Sequence, residues 1–161
     1  MKRLNYLMAV TALGITAAET APQLPKVFGG GEVKEVLWVR LDRNDDVLKS
    51  LVAVFEERGI RDGAVLNAVG NLDGCKFHGV NGSMTTLTEP LEILNLAGMI
   101  ADGKPHLHVI VSNKALGAVG GHLEEGCRVG AQIEVMVVRF KGPAMTRKSA
   151  APGSPAALQK K

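Results

Sequence analysis

Apolar residues recur along the middle of the chain in two rhythms. From 33 to 41 (VKEVLWVRL) β-branched residues partly alternate with polar ones, as in a strand with one buried face. The period then lengthens: Val47, Leu48, Leu51, Val52 and Phe55 fall at 3.6-residue spacing, which predicts an amphipathic helix capped by Asn44 or Asp45 and closed by Gly59. Short apolar runs follow at 64–69, 75–80, 91–99, 106–112, 118–123 and 133–140, separated by turn residues. Their connections are too short for helical crossovers, so the strands should pair mostly antiparallel. The pattern predicts an α+β domain: a single, mostly antiparallel sheet of about seven strands with one principal helix.

The ends lack this patterning. Lys2-Arg3 followed by an apolar run from 4 to 18 (LNYLMAVTALGITAA), with a small-residue Thr16-x-Ala18 site, reads as a signal peptide over 1–18, which would place the mature protein outside the cytoplasm or in the periplasm. The alternatives are an amino-terminal helix of the fold or an early start, with a cytoplasmic protein. The run is too short and interrupted to span a membrane. Residues 19–32 are rich in Pro and Gly and read as a linker, 33–140 as the domain, and 141–161 as a disordered basic tail.

Composition refines this picture. Of 161 residues, 46% are hydrophobic but only 4% aromatic, so the core must be aliphatic and base-stacking platforms are not expected. The net charge of +3 suggests an anionic partner until the charges are located. Seven of the 19 cations, Lys2, Arg3, Lys141, Arg147, Lys148, Lys160 and Lys161, lie at the ends, leaving 12 against 16 acidic residues over 19–140. The domain is therefore acidic. Cys75 and Cys127 match no zinc knuckle or CxxC motif; two buried thiols are the simpler expectation, and export would permit a disulfide.

The candidate chemistry rests on histidines. His106 and His108, two apart in a strand, project from one face. If Asn113 and Gly117 oppose each other across a turn, Ser112 faces Ala118, Ile110 faces Gly120 and His108 faces His122, with Glu124 opposite His106 on the same face. A one-residue slip would send His122 to the other face. Three imidazoles on one hairpin suit Zn²⁺ or a similar cation, with a fourth position open to water or Glu124; the alternative is a set of polar sheet-face histidines without metal. Gly120-Gly121 leaves room for a ligand or a neighbouring subunit to approach. His78 lies three residues from Cys75, on the opposite strand face, so a thiol–imidazole pair is not expected. Asp42, Asp45 and Asp46 sit at a helix start, where capping explains them more cheaply than calcium. There is no Walker loop, GxSxG elbow or HExxH pattern, and Gly29-Gly30-Gly31 reads as flexible linker.

Glu89-Pro-Leu-Glu-Ile-Leu-Asn-Leu-Ala-Gly98, Pro105-His-Leu-His108 and Val119-Gly-Gly-His-Leu-Glu-Glu-Gly126 closely resemble the plants-and-prokaryotes-conserved (PPC) domain, which in plant nuclear proteins is attached to AT-hooks; Gly63-Ala-Val-Leu-Asn-Ala-Val-Gly70 also looks like a segment of that family. The resemblance covers about 33–140 and implies an antiparallel sheet flanked by helices, a homotrimer, and customary description as DNA-binding. It also implies metal binding by His106, His108 and His122. The AT-hook core Arg-Gly-Arg-Pro does not occur in this sequence.

Three functional readings follow. The first is a trimeric PPC-type binding module holding a divalent metal, with zinc the expected ion; the acidic domain and export pattern argue against DNA as its partner. The second is a metal-dependent hydrolase or lyase acting on a small molecule, with Glu124 as general base. The third makes the histidines a structural feature of the trimer seam.

Overall fold

The computed structural model describes residues 25–161; the expected signal segment and its cleavage site lie outside the described residues. The alternation at the start of the domain becomes β1 (Glu32–Asp42), and the 3.6-residue period becomes α1 (Val47–Glu57). The helix buries Val47, Leu51 and Phe55, one turn apart along a single face, against the sheet. Its N-cap is Asp46 rather than the expected Asn44 or Asp45. The Asp46 carboxylate accepts from Lys49 N at 3.2 Å and from Gly126 N at 2.8 Å, so one buried side chain caps the helix and ties it to the loop before β7. Asp45 accepts from Asp42 N instead. At the other end Gly59, at φ +60°, lets its own N–H and that of Ile60 return to the carbonyls of Glu56 and Phe55, a Schellman closure.

Seven strands then form the main sheet: β1, β2 (Gly63–His78), β3 (Met84–Leu87), β4 (Leu91–Ala101), β5 (Lys104–Ser112), β6 (Ala118–Leu123) and β7 (Arg128–Lys141). All pairings are antiparallel, in the order β1-β7-β2-β4-β5-β6, with β3 beside the end of β2. The expected strands at 64–69 and 75–80 are one long strand. Residues 70–74 stay within β2 by shifting register against β7, absorbing the glycines that punctuate the sequence. That length matters. The first part of β2 pairs with β7 and β4, while its last residues pair with β6, so β2, β4, β5 and β6 close on themselves. β3 was not expected, because four residues, two of them threonine, are too few to carry a periodic signal.

The core is aliphatic, with Phe55 and Phe77 as its buried rings among Leu51, Leu72, Leu96, Leu107, Val129 and Ile133. Cys75 and Cys127 lie fully buried within it as a disulfide, which replaces the expectation of two thiols; β2 and the start of the β7 segment bring them together across 52 residues of sequence.

The expectation of a disordered tail over 141–161 is corrected: β8 (Met145–Ser149) and β9 (Ala156–Lys160) form a hairpin. Local periodicity does not hold it. Met145 and Leu158 instead line a cavity with Met99 and Phe140, Met145 N donates to the Asp62 carboxylate at 2.9 Å, and Lys161 Nζ reaches Asp102 at 2.9 Å. Among the described residues, no helix is long and apolar enough to cross a membrane.

Candidate metal centre

The site is built on the β5–β6 hairpin. Asn113 N donates to Gly117 O at 3.2 Å, and the Asn113 side-chain oxygen accepts from Ala115 N and Gly117 N, so the turn closes where the sequence places it. The register follows: His108 pairs with His122, Ile110 with Gly120 and Ser112 with Ala118. His106, His108 and His122 share one face, and one ring nitrogen from each lies within 4.8 Å of the others. The Nε2 atoms of His106 and His108 are 3.2 Å apart, with the rings stacked. His122 meets both rings nearly edge-on, at centroid distances of 4.8 and 5.5 Å.

A fourth histidine completes the cluster. β6 pairs with β2 on its other side and sets His122 opposite His78, whose ring stacks on it at 4.6 Å. His78 was not legible as a site residue, because only closure of the sheet brings β2 to β6. Its other neighbour is Glu124. Instead of lying opposite His106, Glu124 falls just beyond β6, donates its N–H to Lys76 O, and places a carboxylate oxygen 2.7 Å from His78 Nδ1. Gly120 and Gly121 serve the chain's own backbone. A Cβ at Gly120 would strike the carbonyl of Val109, and one at Gly121 the carbonyl of His78, so neither residue could be larger without pushing β5 or β2 away.

The four imidazoles floor an open groove of about 850 Å³, walled by the 79–82 turn and by Gly153, Ser154 and Pro155 of the β8–β9 turn. Burial is the main influence holding His106 below the ordinary imidazole value of 6.5, followed by the Arg147 guanidinium and then the neighbouring histidines. Burial also holds His122 down, followed by His78, while Glu124 partly offsets both. Both rings are therefore neutral at pH 7, the state in which imidazole offers a lone pair to a metal. Tetrahedral coordination at Zn–N distances of 2.0–2.1 Å separates two ligand nitrogens by about 3.3 Å. The His106–His108 spacing fits this without rearrangement.

Among curated relatives, the chain is 30% identical over 126 residues to bifunctional protein GlmU of Synechococcus sp. (strain JA-2-3B'a(2-13)), an alignment covering 78% of this chain and 20% of the relative. The chain thus spans about a fifth of the length of that relative. Among solved structures it is similar to a metal-containing protein from Archaeoglobus fulgidus, with a TM-score of 0.72 and 28% identity over 84% of this chain and 100% of that one. It is also similar in fold to a candidate DNA-binding protein from Bacteroides thetaiotaomicron, with a TM-score of 0.69 and 23% identity over 81% of this chain and 97% of that one. The profile of the Plants and Prokaryotes Conserved domain, abbreviated PCC or PPC, matches residues 28–141, which include every strand of the main sheet and all four clustered histidines. The chain belongs to the Plants and Prokaryotes Conserved domain family.

Proposed function

We propose that the chain is a metal-binding PCC module in which His106, His108 and His122 hold one divalent cation, zinc by preference, and that it works as a homotrimer. The observation carrying the metal reading is the convergence of three imidazoles on one hairpin face, with ligand nitrogens within 4.8 Å of one another and the His106–His108 pair, at 3.2 Å, already at the spacing of tetrahedral ligation. Such a cation would leave a coordination position open toward the groove and supply Lewis acidity there. His78 and Glu124 would support the set: the carboxylate orients His78, and His78 packs His122 in place. The Archaeoglobus protein, described as metal-containing, agrees with this reading.

Self-association has its own support. Trp38, Val36, Val69 and Met136 are exposed on the three adjacent strands β1, β7 and β2, where Trp38 pairs with Met136. An apolar face of this kind suits contact between copies of the chain, and the family resemblance supplies the number three. The buried Cys75–Cys127 disulfide supports an oxidising compartment, as the amino-terminal pattern suggests. A DNA role rests on the description of the Bacteroides protein and the basic ends of the chain. Binding of duplex DNA measured at 50 and 200 mM salt tests it, and no affinity at the lower salt excludes it.

Elemental mass spectrometry on the full chain, beside a His106→Ala/His108→Ala/His122→Ala variant, tests the metal reading. One metal per chain, lost in the variant, is expected. A folded wild-type protein that takes up no metal from a zinc-supplemented medium would overturn it.

A further inference from the structure

Arg147 lies in β8, beyond the end of the family match at residue 141. It occupies the strand face shared with Met145, which lines a cavity together with Met99, the strand partner of His106. The same hairpin lends its turn to the wall of the histidine groove. Arg147 is half-buried there, near enough to His106 and His122 for its charge to lower the proton affinity of both. Its Nε is buried with no hydrogen-bond partner, and no salt bridge to it occurs among the described residues. Glu124, the carboxylate that serves the cluster, is bonded to His78.

A half-buried guanidinium whose Nε has no partner is costly to leave without a counter-charge, and the cost rises when the neighbouring groups are histidines about to receive a cation. A ligand carrying negative charge would remove it. Guanidinium is suited to this task, because its planar fork of N–H donors matches the oxygens of carboxylate and phosphate.

The geometry points to Arg147 as the anchor for a small oxyanion ligand, a carboxylate or phosphate group seated in the groove over His106, His108 and His122. The inference rests on the metal reading of that cluster and adds the class of molecule the site accepts. The β8–β9 hairpin, lying outside the family domain, thus makes the groove selective for anions. A neutral molecule of the same size would leave the guanidinium unsatisfied.

The test is isothermal titration of inorganic phosphate, and separately of acetate, into the metal-loaded full chain at pH 7.5, with metal content measured on each sample. Arg147→Met should weaken binding about 10- to 100-fold, as expected for loss of a charge-assisted pair. Arg147→Lys should restore part of it, and Lys148→Met should change little. A response to phosphate alone or to acetate alone identifies which oxyanion the groove prefers. Undiminished binding by Arg147→Met, or no binding of either probe to metal-loaded wild type, would overturn the inference. If Arg147→Met does not fold, an Arg147→Lys protein that binds as tightly as wild type while Lys148→Met weakens binding would do the same. Arg147-dependent binding to a wild-type protein that holds no metal would overturn the metal reading and leave the anion site standing.

Discussion

His78 Nδ1 and the Glu124 carboxylate lie 2.7 Å apart, joining the end of β2 to the residue after β6. The carboxylate accepts a hydrogen bond from Nδ1–H, which fixes the tautomer and holds the ring against His122. Glu124→Gln should therefore weaken zinc binding by no more than about tenfold, because it disturbs a neighbour of the ligand set. His122→Ala removes a ligand and should abolish stoichiometric binding. Competition against a chromogenic zinc chelator separates the two; equal losses would mean that Glu124 is itself a ligand.

Metal occupancy should depend on pH with a definite sign. Burial lowers the proton affinity of His106 and His122, so both remain neutral somewhat below the ordinary value of 6.5. Their folded values lie below the unfolded ones, so the folded state is fully favoured above about pH 6.5 and loses this advantage as pH falls toward the folded values. Zinc should stay bound at pH 7.5 and be released on acidification, with a midpoint below 6.5. Dialysis across pH 5 to 8 with metal analysis checks this. Release on raising the pH would contradict it.

Trp38 is the sole tryptophan and stands three-quarters exposed on the isolated chain. If that face joins copies, its fluorescence should be blue-shifted at working concentration, and Trp38→Glu should reduce the solution mass to one chain while leaving the circular dichroism spectrum intact. Light scattering after gel filtration reads the mass. A Trp38→Glu protein of unchanged mass would move the interface elsewhere.

The Cys75–Cys127 bond closes a loop of 52 residues in sequence. Replacing both cysteines with serine should lower stability by about 2–4 kcal/mol, since the unfolded chain gains the freedom that the bond removes. Urea denaturation of wild type and the double variant measures the difference. Without reductant, denatured wild type should migrate faster on electrophoresis than the reduced protein.

Asp46 caps α1 and reaches across to Gly126 while nearly wholly buried. Asp46→Ala breaks both bonds and should cost about 1–3 kcal/mol, because two backbone donors lose their acceptor at once. The same urea series checks it, with Asp45→Ala as the milder comparison.

The pattern of apolar residues determined the helix, six of the seven strands of the main sheet and the antiparallel class, because alternation and 3.6-residue spacing record which side chains meet the core. The β5–β6 register was equally legible: one turn, Asn113 to Gly117, sets the pairs as far as His108 and His122, and so brings His106, His108 and His122 to one face. What remained hidden depends on contacts between segments distant in sequence. His78 joins the cluster only because β2 continues past its glycines to meet β6. Glu124 turns to His78 because β6 ends one residue before it. The disulfide needs β2 and the start of β7 side by side, and the β8–β9 hairpin is held by Asp62, Met99 and Asp102, to which its own composition gives no clue. Local rules reach one turn of helix or one hairpin; closure of the sheet and docking of the terminal hairpin come from long-range packing, and these decide which residues surround the three histidines.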